Sequence, residues 1–143
     1  MRYIGEQKSS TSKNPFFSTI MASNVPSLLS VSYDESLLRT RHWILETAGF
    51  NVTSALGFTQ ATNHFRTGAF DLVIMGHSIP HEDREALLKM LRKEAECRVL
   101  SLRKPGDPPL PGADYSIDAW DGPEALISAV RKVLGAKAAS GSG

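Results

Sequence analysis

Two imidazoles and two carboxylates, His77, His81, Glu82 and Asp83, crowd one short segment that follows an apolar run, FDLVIMGHSIPHED. Such a donor set can hold a transition metal. His77 can also be read as an acceptor of a phosphoryl group. Both ideas meet obstacles in the same few residues. A spacing of four aligns two histidines only on a helix, and Pro80 between them interrupts that geometry. Nothing beside His77 supplies a metal or a phosphate cradle. The ordinary role of the segment is a polar loop turning into a helix, with Glu82 and Asp83 at the positive end of the helix dipole.

Other groups carry chemistry less sharply. Arg103 and Lys104 end a later apolar run and could hold a small anion. Glu82 and Asp83 oppose that, and a solvated basic pair is the simpler account. Arg39, Arg41 and His42 fall on one helical segment, either as a solvated face or as a face that docks a partner. Trp120 lies beyond a stretch containing Pro108 and Pro109, and aromatics with prolines often mark an interaction surface. A lid packed on the protein's own surface fits the same residues. The single cysteine, Cys97, excludes a disulfide framework and a cysteine cage for zinc within one chain, and reads as a reduced thiol near a strand start.

Elements must position these groups, and the chain has room for one domain. It has 143 residues, 41% of them apolar and 22% charged, with a formal net charge of +1. That balance gives no electrostatic argument for nucleic acid or a membrane surface. No apolar run approaches the roughly 20 residues that span a bilayer, and no signal-peptide pattern opens the chain. A cytoplasmic location is the expectation. Residues 1–24 hold KSSTSKN and read as a disordered tail, 25–135 as the domain, and 136–143, AKAASGSG, as a flexible tail.

Within the domain, strand and helix patterns alternate. Leu28–Ser32 is a first strand, and Asp34 sits where a helix N-cap belongs. Leu37, Leu38, Ile44, Leu45 and Ala48 recur at helical spacing until Gly49. Asn51–Ala55 is a second strand and Thr59–Arg66 a weaker helix. Leu72–Met75 is the third strand, followed by a helix over about residues 82–94 with Leu87, Leu88 and Leu91 inward. Val99–Leu102 and Asp114–Ile117 are the fourth and fifth strands. Asp121 and Pro123 open a last helix that Gly135 stops. Alternation of this kind implies a parallel sheet covered on both faces. With five strands it fits the doubly wound order 2-1-3-4-5, whose functional crevice lies at the C-terminal ends of strands one and three.

VSYDESLLRTRHWILETAGF, FDLVIMGHSIP, RVLSLRKPG, GADYSID and DGPEALISAVRKVL, in that order, resemble response-regulator receiver domains, the CheY-like family, over about residues 26–134. The resemblance implies a flavodoxin-like α/β fold. It also implies where the family's chemistry should stand. The acidic pair that holds Mg²⁺ falls on Ser32 and Tyr33, with only the neighbouring Asp34 acidic. The phosphoacceptor aspartate falls on Gly76, and the hydroxyl of the fourth strand on Arg103. The lysine of the fifth strand falls on Asp118 or Ala119. Mg²⁺ wants carboxylate oxygens, and phosphoryl transfer needs nucleophile, metal and cationic clamp together.

A pseudo-receiver without aspartyl phosphorylation follows as the expectation, neither an enzyme nor a holder of a cofactor or metal. The receiver's fourth helix falls on RKPGDPPLPGA, and four prolines in that stretch forbid a helix. A Pro-rich loop is expected there. The implied role is phosphorylation-independent contact with signalling proteins: a histidine kinase, a phosphotransfer protein or another regulator, with a homodimer also open. Arg39, Arg41, Pro108, Pro109 and Trp120 are the candidate surface. Two alternatives stand beside it. One is an atypical phosphoacceptor such as His77 or Asp34. The other is a small-ligand sensor whose pocket uses the room left by Gly76.

Overall fold

A computed structural model describes residues 25–142, with side chains through residue 135; the expected N-terminal tail, residues 1–24, lies outside the described residues. The elements in chain order are β1 (Ser27–Ser32), α1 (Glu35–Thr47), β2 (Asn51–Leu56), α2 (Gly57–Thr67), β3 (Leu72–Met75), α3 (His81–Glu94), β4 (Arg98–Arg103), β5 (Tyr115–Asp118) and α4 (Pro123–Ser142). The strands form one parallel sheet in the order β2-β1-β3-β4-β5. Strand β3 is entirely buried because it is central and covered on both faces, which is why it reads as an unbroken apolar run and not as an alternation.

Helices cover each face. Leu29, Val31, Val73, Met75 and Val99 meet Phe65 of α2 and Leu87 and Leu91 of α3. Leu28, Leu72, Ile74 and Leu100 meet Leu45 of α1 and Leu126, Ala129, Val130 and Val133 of α4. Odd and even positions of the same strands thus feed two separate cores, as the pleat requires.

Caps set the helix ends that aim the crevice. Asp34 Oδ1 accepts the Leu37 amide at 3.0 Å and starts α1, as its sequence position predicts. Gly49, at φ 103°, ends it: the Gly49 amide bonds the Glu46 carbonyl and the Phe50 amide the Leu45 carbonyl, a Schellman pair that needs the left-handed backbone glycine tolerates. Residues 104–114 contain neither helix nor strand. The proline-rich loop therefore stands where the sequence places it, and Leu110 inserts from it into the core under α2 and α3.

Most strand and helix ends move by a residue or two from expectation, and two differences are larger. Helix α4 passes through Gly135 and runs to Ser142, so the stop at Gly135 is corrected. A single glycine costs about 1 kcal/mol in a helix, and the alanines and lysine beyond it are good helix formers. Asp121 belongs to a 3-10 turn, Ala119–Asp121, and α4 starts at Pro123 after Gly122. Among the described residues no helix is long and apolar enough to cross a membrane.

Candidate functional site

The C-terminal ends of β1 and β3 are tied by hydroxyls. Ser32 Oγ donates to the Asp34 carbonyl and accepts the Asp34 amide, both at 3.0 Å. Ser78 Oγ lies 3.0 Å from Ser32 Oγ and accepts the Tyr33 amide at 2.9 Å. The Tyr33 hydroxyl donates to Asp83 Oδ2 at 2.8 Å. Burial and this carboxylate push the Tyr33 hydroxyl well above the usual tyrosine range, so it stays a donor. The end of β1 offers hydroxyls already engaged with protein partners.

Next to it, Arg41 reaches in from α1. It is 7% exposed, and Nη2 lies 3.0 Å from His77 Nδ1. A guanidinium only donates, so Nδ1 accepts and the His77 proton sits on Nε2. Arg41 Nη1 is buried without a hydrogen-bond partner. A Cβ placed on Gly76 would stand 2.8 Å from that nitrogen and 2.9 Å from the Val31 carbonyl oxygen. The room a side chain at 76 would need is thus held by Arg41 and the β1 backbone. Burial lowers the Arg41 pKa, and Asp34 acts in the opposite direction. His77 is also pushed down, by burial first and then by Arg41 and Lys104. Its ring meets Trp120 edge-on at 4.9 Å between centroids.

The third side of the crevice is β4 and its loop. Arg103 pairs in register with Asp118 of β5, and its Nη1 donates to the Asp107 carbonyl at 3.1 Å. Arg84 on α3 is 3% exposed; its Nη1 is 3.5 Å from the Leu102 carbonyl and its Nη2 3.9 Å from Asp107 Oδ2. Three guanidiniums, of Arg41, Arg84 and Arg103, thus stand around these strand ends.

No protein-family model matches the chain, and no curated protein matches it. Solved structures do. A CheY-like response regulator receiver domain from Methanospirillum hungatei JF-1 gives a TM-score of 0.71 at 20% identity, covering 81% of this chain and 98% of that one. The N-terminal domain of a response regulator/sensory box/GGDEF protein from Carboxydothermus hydrogenoformans gives 0.70 at 20% identity, covering 80% and 98%. A Francisella response regulator receiver domain gives 0.68 at 21% identity, covering 78% and 98%. The chain has the CheY-like receiver fold.

In this receiver fold, Ser32, Tyr33, Gly76, His77 and Arg103 do gather at the strand ends, and Asp34 borders them as a helix cap. Asp118 and Ala119 border a cleft on the α1 and α4 side that His77 also lines. The basic cluster does not hold together as one surface. Arg41 turns inward, which corrects its reading as a solvated or docking residue. Arg39 stays exposed beside Glu35, and His42 bonds Ser54 and Glu46. The space beneath Gly76 expected for a ligand pocket is likewise corrected, because Arg41 occupies it.

His81 pairs with Glu85, Asp83 with Tyr33 and His77 with Arg41, so the histidine–carboxylate set is dispersed among separate partners. No group of three metal-ligating side chains converges among the described residues. Trp120 is 62% exposed but leans on His77, while Pro108 and Pro109 are exposed on the loop. Two residues escaped the sequence reading. Arg84 stands three before Leu87 and seven before Leu91, on the inward face of α3, so helical periodicity carried the signal. Ser78, a loop serine, carried none.

Proposed function

We propose that this chain is a receiver-fold interaction module that works without aspartyl phosphorylation, as a pseudo-receiver in two-component signalling. The observation that carries the reading is the Arg41 guanidinium packed against Gly76. The receiver acceptor position has no side chain, and the volume such a side chain would use belongs to a cation. Ser32 and Tyr33 supply no carboxylate pair for Mg²⁺, and Arg103 and Asp118 replace the hydroxyl and the lysine.

Such a module acts by contact, with a histidine kinase, a phosphotransfer protein or another regulator, in the cytoplasm and without catalysis. The domain responsible spans residues 25–135. Arg39, Pro108, Pro109 and Trp120 are exposed and available for that contact. An atypical phosphoacceptor is less well supported: Asp34 caps α1, and His77 faces an arginine that disfavours its charged form.

The test has two readouts. Incubation with acetyl phosphate and Mg²⁺, followed by intact mass spectrometry, is expected to leave the mass unchanged. Binding to dimerisation-phosphotransfer domains of histidine kinases is expected to have the same Kd with and without the phosphodonor. A phosphoryl adduct, or a Kd that moves with the donor, overturns the phosphorylation-independent reading; no binding to any such domain overturns the choice of partner.

A further inference from the structure

A buried charge is normally paired with an opposite charge or a ligand, because desolvating it alone is costly. Arg41 is an exception on the face of the sheet covered by α1 and α4. It is 7% exposed, its one side-chain hydrogen bond goes to the neutral ring of His77, and Nη1 has no partner. The acid whose charge acts on it, Asp34, is engaged at the N-terminus of α1.

Arg41 and His77 line a cleft of about 220 Å³ between α1 and the β5–α4 connection. The walls are apolar: Leu37 and Ile44 of α1, Leu102 and Ile117 of the strands, Leu126 of α4, and Trp120. Asp118, at the end of β5, also lines it. Nη1 itself is buried against Gly76 and the Val31 carbonyl; what Arg41 and His77 bring to the cleft is the rest of the guanidinium and an imidazole whose Nδ1 already accepts.

We propose that this cleft binds a small apolar carboxylate, with the carboxylate on Arg41 and His77 and the apolar body against Trp120 and the α1 and α4 side chains. A carboxylate matches the planar fork of a guanidinium and adds to the counter-charge that Asp34 supplies. The volume lies below that of sites for drug-sized ligands, about 300 Å³ and upward, so the body is one ring or a short chain. The apolar walls disfavour inorganic phosphate, whose oxygens all need donors or water. The site shares Trp120 with the contact surface proposed above but does not depend on that role, and its failure leaves that role standing.

The probes are benzoate, benzyl alcohol (the same body without the charge) and inorganic phosphate (the charge without the body). Each is titrated into the isotope-labelled full chain and followed by amide and indole NMR shifts. Benzoate is expected to give saturable shifts at Arg41, Gly76, His77, Ala119 and Trp120, with benzyl alcohol bound roughly tenfold more weakly or worse, the usual size of a lost charge-assisted hydrogen bond. Phosphate is expected to leave those signals in place. Arg41→Met should weaken benzoate by a similar factor; if that variant does not fold, the benzyl alcohol comparison on the wild-type chain decides the role of the charge. Trp120→Ala, at an exposed position, should weaken benzoate severalfold with the fold intact. No saturable shift up to about 10 mM benzoate, equal binding of benzyl alcohol, or phosphate shifting the same signals overturns the proposal.

Discussion

The two faces of the sheet finish differently at the strand ends. Under α2 and α3 the apolar layer continues from Leu29 and Val31 through Met75 and Ile79 to Leu110 of the proline-rich loop. Under α1 and α4 the layer ends at Leu102 and Leu126, and a buried arginine, a histidine and an open cleft follow. On one face, the loop of residues 104–114 contributes a single inserted leucine. On the other, the Arg41 guanidinium stands at the strand ends beside Gly76. Packing can be restored by any side chain of suitable shape, whereas phosphoryl chemistry depends on particular groups.

The contrast makes graded predictions. Leu110→Ala removes the leucine that the loop inserts under α2 and α3 and should cost about 2–5 kcal/mol in chemical denaturation, as other buried leucine truncations do. A loss under about 0.5 kcal/mol would mean that the loop only rests on the core. Gly76→Ala acts on the other face, where the new methyl would meet Arg41 and the Val31 carbonyl; overpacking of this kind costs about 1–3 kcal/mol. An unchanged denaturation midpoint would show that the arginine leaves the site readily. Tyr33→Phe removes the bond to Asp83 that ties β1 to α3 and should cost about 0.5–1.5 kcal/mol.

The smallest effect is one of pH. The folded pKa of His77 lies below its unfolded value of about 6.5, so at slightly acidic pH the unfolded chain binds more protons there. This contribution is fully present above that value and is lost as pH falls through the folded pKa. Comparing denaturation midpoints between pH 7.5 and 5.5 in wild type and His77→Gln isolates it. The wild type should lose more stability on acidification than the variant, and equal losses would contradict the assignment.

Much of this was legible in the residues. The order of the strands followed from FDLVIM, RVLSLR and their alternation with helical runs, and the loop of residues 104–114 from its prolines, because both depend on local backbone physics. The vacancy at Gly76 and the missing acids were equally visible. The inward turn of Arg41 was not, although its position three after Leu38 and four before Leu45 placed it on the buried face of α1. Charge argued for solvent, periodicity for the core, and burial became possible only because Gly76 made a space that no local pattern reveals. Arg84 repeats the case on α3. The continuation of α4 past Gly135 was hidden because the same glycine can end a helix or sit inside one at modest cost.

The central claim is that a cation fills the place of the receiver's acceptor. Titrating Mg²⁺ with beryllofluoride, a phosphoryl mimic, into isotope-labelled protein and following the amide shifts addresses it most directly. The account predicts no saturable change at millimolar concentrations. Saturable shifts centred on Asp34, Gly76, His77 and Arg103 would contradict it and assign a working phosphoryl site to these strand ends.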